Sequence, residues 1–459
     1  MASVRDFGAA GDGSTDDTEA IRHAVEAGDG SIAFDRGTYL LSSPVEVDLS
    51  RSGPISIRGD GTARVVMRGE GPAFRVVGSH EGTADPGSQT PSVATRERMP
   101  TVSGIEIFGE HDGAVGVELT GTVQATLQGI HIRQCLIGVH LTRRNRNLLL
   151  DACHIYDGRG PAIGVYFDGV NLHQAIISAC HISYQRHAGI KVARSEVRNL
   201  QITGNDIEYN DADREGDPDS ADVWIDAREG TVREGTIASN TIQAKPSPDG
   251  SNVRIEGPER DDAAGAGLWT IVGNVLQDQE RNLWLRRCRA VAVSGNSFAS
   301  AERHSVDIDG CRIINLGANT IDHNPDYRGS YRDGIVVRRS SAVSMTGLIL
   351  EGVRSGRPDR GAAIAVRDSE AVTIGHCQVL DPTARGVELD GVRGAIVEGC
   401  TVIDRRPEPS MTEAIRLRGR CPGVSIRGNV VSGGEAAIVV DRGGDGVSVD
   451  GTVAFPGAG

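Results

Sequence analysis

Ile271-Val272-Gly273-Asn274, Val293-Ser294-Gly295-Asn296 and Leu316-Gly317-Ala318-Asn319 share one pattern: an apolar residue, any residue, a turn-like or small one, and a closing asparagine. Towards the amino terminus the pattern recurs, less strictly, from Ile132 to Cys135, Leu150 to Cys153, Ile177 to Cys180, Ile202 to Asn205 and Ile237 to Asn240. Towards the carboxy terminus it runs from Met345 to Leu348, Ile374 to Cys377, Val397 to Cys400, Ile426 to Asn429 and Val449 to Thr452. Successive closing residues are 18 to 35 positions apart, the spacing of a repeat architecture. A second motif precedes the first, as in Leu283-Trp284-Leu285-Arg286-Arg287-Cys288, Val306-Asp307-Ile308-Asp309-Gly310-Cys311 and Val387-Glu388-Leu389-Asp390-Gly391-Val392. Each copy alternates with period two and ends in a bend, as a short strand does. One such unit cannot bury an apolar face alone, whereas stacked coils pair every strand with its copies above and below. The pattern predicts an all-β, right-handed parallel β-helix of about thirteen coils. It is expected to form one domain over 1–459, with 1–30 as an amino-terminal cap and 31–459 as coils.

Composition agrees with a solenoid. The 459 residues include 60 Gly but only 3 Trp, 7 Tyr and 7 Phe, which suits many tight turns around a narrow core of small and β-branched side chains. A hydrophobic content of 38% provides a core, and no apolar run approaches the ~18 residues of a membrane span. A net charge of −14 argues against nucleic acid as a partner. No basic start leads into an apolar stretch, so the chain as written shows no signal peptide; a secreted or periplasmic location is expected if the start was trimmed. The eight cysteines lack metal-type spacing. Cys135, Cys153, Cys180, Cys377 and Cys400 stand where other copies carry Asn, so they are expected to replace it in a buried ladder.

The stretch Val4-Arg5-Asp6-Phe7-Gly8-Ala9-Ala10-Gly11-Asp12-Gly13-Ser14-Thr15-Asp16-Asp17-Thr18-Glu19-Ala20-Ile21 resembles the opening signature of the pectate lyase superfamily of β-helix proteins. That superfamily spans pectate-lyase-like proteins, polygalacturonase-type hydrolases and phage tailspikes, so the resemblance implies the fold and its capping rather than a chemistry. Physically, the stretch is a Gly-rich turn, then Asp16 as N-cap with Glu19 three residues on, then a helix whose Ile21, Ala24 and Val25 cover the first coil. Residues 79–100 are expected to form a long loop.

Alternation in the second motif directs two columns of side chains outward on one sheet. One runs Glu118, His140, Tyr166, Lys191, Trp224, Arg254, Trp284, Asp307; the other Thr120, Thr142, Asp168, Ala193, Asp226, Glu256, Arg286, Asp309. Aromatic rings beside acids and bases suit a sugar site, since rings stack on pyranose C–H faces and acids hold hydroxyls or move protons. Loops at 210–221, 243–252 and 257–267 are expected to wall a groove there. In this reading a glycoside hydrolase uses Glu256 as acid and Asp226 as base or nucleophile, with Asp168 or Asp309 setting an inverting distance. Trp224 and Trp284 are expected to stack sugars as exposed rings, with Tyr166, Arg286 and Asp307 also contacting substrate. A polysaccharide lyase would instead use Lys191, Arg254 and Arg286 to neutralise a uronate carboxylate, with calcium. Asp211, Asp213, Glu215, Asp219 and Asp222 have the oxygen spacing of a calcium loop, although Pro218 and Asp222 depart from the EF-hand pattern. Val223-Trp224-Ile225-Asp226 is similar to a strand of calcium-dependent pectate lyases, with Ala227 where those carry His. The Asn-Thr-Asp, Gly-His-Gly and Arg-Ile-Lys set of polygalacturonases and the Asp-Pro-His-Glu motif of alginate epimerases are absent. A third possibility is a glycan-binding, tailspike-like β-helix without catalysis. The expected partner is a polysaccharide, bound by a monomer or homotrimer.

Overall fold

The structure is a computed structural model; it describes residues 2–82, 85–212, 219–259, 265–327, 329–441 and 446–455. The chain is an all-β parallel solenoid of about 16 turns rather than thirteen. The count above began at Cys135, the first copy of the Asn/Cys pattern. Coils without that pattern precede it: strands Ser31–Phe34, Ser56–Met67 and Thr101–Gly109 already stack in parallel, with Ile32 on Ile57 on Val102.

The chain divides into two compact units, Met1–Thr236 and Ile237–Gly459. In the first, the capping helix spans Thr18–Ala27 and buries Ile21, Ala24 and Val25. Its N-cap is Asp17, not Asp16. The Asp17 carboxylate turns towards the Gly-rich loop and accepts from the amides of Ala10 (2.6 Å) and Gly11 (3.2 Å), while Asp16 accepts from the Thr18 amide (3.0 Å). The helix therefore starts one residue later than capping chemistry alone suggested. The expected loop at 79–100 contains a short helix, Pro91–Arg96, and is tied down by buried Glu97, which accepts from the amide (2.7 Å) and hydroxyl (2.8 Å) of Ser79.

Register in this unit follows the motif. Ile132, Ile155, Ile182 and Ile207 stack rung on rung, as do Leu141, Phe167, Val192 and Ile225, and all eight are buried. The second unit repeats the arrangement with Leu276, Phe298, Ile321, Leu350, Val379, Val402 and Val431 in one column. Each such column is a continuous apolar stack with no solvent-facing side.

The closing residues form the expected internal ladder. Asn274 Oδ1 accepts from the amide (3.0 Å) and Nδ2 (2.9 Å) of Asn240, Asn296 Oδ1 does the same for Asn274, and Asn319 Oδ1 for Asn296. The residue before the closing position is left-handed in nearly every copy, among them Ala152, Ser239, Gly273 and Gly295. At Gly273 and Gly295, with φ of 66° and 65°, glycine removes the steric penalty. Cys153, Cys180, Cys377 and Cys400 instead donate their thiols to coil carbonyls, as Cys153 does to Asp151 (3.1 Å). All eight cysteines are buried and free.

Asn296→Ala should strand the Asn274 amide and the Ile271 carbonyl, and urea unfolding should show a loss of about 3 kcal/mol. Cys400→Ala, which removes weak thiol donors, should cost about 1 kcal/mol.

Candidate functional site

The two outward columns exist in the expected register. In the first unit Glu118, His140, Tyr166, Lys191 and Trp224 face one another on successive rungs, beside Thr120, Thr142, Asp168, Ala193 and Asp226. His140 sits between two carboxylates, with Nδ1 3.4 Å from Glu118 and Nε2 3.2 Å from Asp168, and its ring stacks on Tyr166 at 5.7 Å. Burial disfavours charge on His140, but its bonds to Glu118 and Asp168 outweigh burial and raise its pKa above the ordinary 6.5. Glu118 is shifted the other way, chiefly by the His140 hydrogen bond, with Arg75 adding to it at 2.7 Å.

Arg194 completes this cluster, donating to the Tyr166 hydroxyl (2.9 Å) and to Asp168. Its side chain is 53% exposed, so it remains reachable from solvent. Arg194 stands just after its strand in a left-handed conformation (φ 52°), outside both columns, which is why alternation did not point to it. On the next rungs Lys191 Nζ lies 2.6 Å from His187 Nε2 and 4.1 Å from the Trp224 ring centre. Burial raises the Asp226 pKa, but the two-pronged Arg228 guanidinium (2.8 and 2.7 Å) outweighs it and holds the carboxyl below its ordinary value.

The second unit presents Arg254, Trp284 and Asp307 beside Glu256, Arg286 and Asp309. Glu256 is 1% exposed; its oxygens accept from Arg254 (2.8 Å) and Arg286 (3.1 Å). Asp307 accepts from Arg338 (2.6 Å) and Arg281 (3.3 Å), and Asp309 from Arg339. This half is a ladder of guanidinium–carboxylate pairs, and a donor set that occupies Glu256 from two sides leaves it poorly placed to protonate a leaving group.

The tryptophans are not the exposed platforms that the sequence suggested. Trp224 is 4% and Trp284 8% exposed. Arg254 and Arg281 lie 4.2 and 4.1 Å from the Trp284 ring centre, and Lys191 and His187 cover Trp224. Cation–π attraction folds long basic side chains over rings that strand alternation places outside. In the acidic loop, Asp213 and Glu215 lie outside the described residues. Asp219 is exposed, whereas Asp211 and Asp222 are buried, and Asp222 accepts from the backbone amide (3.2 Å) and Nδ2 (3.0 Å) of Asn210. Among the described residues, no group of three or more His, Cys, Asp or Glu side chains is arranged to hold a metal.

Two outcomes follow from these pairings. His140 carries a raised pKa, so its contribution to stability is complete below pH 6.5 and is lost as pH rises through the raised value. The melting temperature of His140→Gln should therefore lie about 2–4 °C below that of the parent at pH 6 and approach it at alkaline pH. Glu256→Gln leaves the Arg254 and Arg286 charges without their partner, and denaturant unfolding should register a loss of about 3–5 kcal/mol.

Residues 95–237 and 281–454 match the family model described as right handed beta helix region. Residues 1–90 match the rhamnogalacturonase A/epimerase, pectate lyase-like model. No curated protein matches the chain. Among solved structures, pre-mature gene product 12 of bacteriophage phi29 is 14% identical with a TM-score of 0.48, over 99% of this chain and 56% of that one. Tailspike protein 3 of bacteriophage CBA120 is 12% identical with a TM-score of 0.43; all of this chain is covered, and it spans 62% of the tailspike. The catalytic unit of the GH87 alpha-1,3-glucanase from Streptomyces thermodiastaticus strain HF3-3 is 15% identical with a TM-score of 0.38, over 98% of this chain and 68% of that one. Rung register, internal ladder and both family models lead to one assignment: the chain belongs to the right-handed β-helix family, within the pectate lyase-like superfamily.

Proposed function

We propose that the chain acts on an acidic, uronate-containing polysaccharide and cleaves it by β-elimination at the face carrying His140, Tyr166, Asp168, Lys191 and Arg194. The observation that carries this reading is Arg194, more than half exposed and held by Asp168 beside the Tyr166 hydroxyl. β-Elimination needs a cation for the uronate carboxylate, an acceptor for the C5 proton and a donor for the leaving O4. Arg194 neutralises the carboxylate and so acidifies the C5–H bond. Lys191, as the neutral amine giving one hydrogen to His187 Nε2 (2.6 Å), takes the C5 proton on its lone pair; the C5 electrons form the C4–C5 double bond and the C4–O4 bond breaks. Tyr166, whose pKa is raised by burial and by Asp168, keeps its proton until O4 takes it. Asp226, held as an anion by Arg228, accepts hydrogen bonds from sugar hydroxyls. The Asp226/Glu256 hydrolysis scheme draws less support, because both carboxylates are engaged by guanidinium donors.

Polygalacturonate and alginate, with calcium added or chelated, should yield unsaturated product that absorbs in the ultraviolet. Arg194→Ala and Tyr166→Phe should each slow that reaction roughly 10²- to 10⁴-fold with little change in melting temperature. Reducing ends released from neutral glycans without unsaturated product, and lost in Asp226→Asn, would replace this reading with hydrolysis. Binding with neither signal would favour a non-catalytic glycan-binding role.

A further inference from the structure

On a different sheet of the first unit, the three-residue strands His131–Arg133, His154–Tyr156, His181–Ser183 and Asp206–Glu208 stack in register. Their outward positions place His131, His154 and His181 on successive rungs, with ring centres 6.1 and 5.8 Å apart. Tyr156 stacks on His131 at 5.0 Å. The residues that follow the last two strands, Tyr184 and Tyr209, stack at 5.4 Å with ring planes 12° apart, and Tyr184 is 54% exposed. Four rungs at ~4.8 Å spacing thus carry a strip of rings roughly 14 Å long, with the histidines edge-on to one another (71° and 73°), Arg133 over Tyr156, and the Tyr184–Tyr209 pair face to face next to the Asp206 and Glu208 carboxyls.

Stacked rings on a sheet exterior commonly serve packing alone, and His131 with Tyr156 fits that role. Tyr184 and Tyr209 do not. Both are left-handed, with φ of 55° and 51°, a conformation that disfavours bulky side chains, and the preceding rungs fill the same turn position with Gln134 and Asp157. Tyr184, 54% exposed, opens a stacked ring face to solvent where those rungs carry polar side chains, and such a face beside two carboxyls offers both halves of a sugar contact.

We propose that this strip is a second binding surface, taking a polysaccharide chain whose pyranose C–H faces lie on Tyr184 and Tyr209 and whose hydroxyls reach Asp206, Glu208 and the exposed His154. The chemistry of the strip matches a sugar polymer. Burial pushes His131 towards its neutral form, and burial with the adjacent Asp206 carboxyl raises Glu208 to about 7. It shares with the proposed reaction only the class of ligand. It would hold the polymer while the other face works on it.

The test is native electrophoresis through gels containing polygalacturonate, alginate or soluble starch, alongside thermal unfolding and elimination assays on short uronate oligosaccharides. Asparagine tolerates the left-handed turn. The Tyr184→Asn/Tyr209→Asn double variant should therefore melt at the parent temperature or higher while its retardation by polymer weakens at least fivefold, with turnover of short oligosaccharides within twofold of the parent. Unchanged retardation in the variant, lower stability together with weaker retardation, or no retardation of the parent in any gel would each overturn the proposal. A parent that is retarded through these tyrosines but eliminates nothing would sink the reaction and leave the strip standing. Elimination without retardation would do the reverse.

Discussion

The hydrogen bond that a closing Asn side-chain oxygen accepts from the backbone amide one rung back is the constraint on which the middle coils depend. A parallel coil must turn within two residues and bury that turn, which leaves backbone donors with no water to bond. The Asn240–Asn274–Asn296–Asn319 chain satisfies them with one side chain per rung, each amide group serving its neighbour's backbone and its own coil. Because an unmet buried amide costs on the order of 1–3 kcal/mol, the four successive turns from Asn240 to Asn319 would be costly without the ladder. The parallel rungs on either side keep the same register, and the outward columns run through them.

With the backbone so constrained, chemistry is left to side chains that project from a rigid lattice. The same lattice carries two different outer faces. In the first unit His140, Tyr166, Lys191 and Arg194 bring proton donors, acceptors and a reachable cation together. In the second unit Arg254, Arg281, Arg286 and Arg338 occupy Glu256 and Asp307 so fully that the face reads as electrostatic scaffolding. Removing water from such pairs costs energy that their attraction barely returns, so they secure geometry more than they add stability.

The lattice was legible in the sequence because it repeats. The columns and the internal ladder follow from period-two alternation and a recurring Asn or Cys, and the buried face of the cap helix from the helical spacing of Ile21, Ala24 and Val25. Side-chain direction beyond Cβ was not. Arg281 lies outside the two columns, yet it covers Trp284, and Arg194 reaches back one rung from a left-handed turn that alternation ignores. Early coils escaped the count because they turn without the Asn signal. The cap helix began one residue late because Asp17 bonds the Gly-rich loop, a competition invisible to a one-dimensional capping rule.

Uniform parallel register also bears on how such a chain can change its length. Each rung touches only the rungs above and below it, and Leu350, Val379, Val402 and Val431 are interchangeable members of one stack. A segment that begins and ends at equivalent turn positions, such as 378–400, could be duplicated or deleted while every remaining strand kept a partner of the same kind. Such an edit would move a surface feature by one whole rung without altering its neighbours. Genes for this fold can therefore lengthen or shorten in steps of a single coil, and the positions of their sites along the axis can change independently of the chemistry the sites contain.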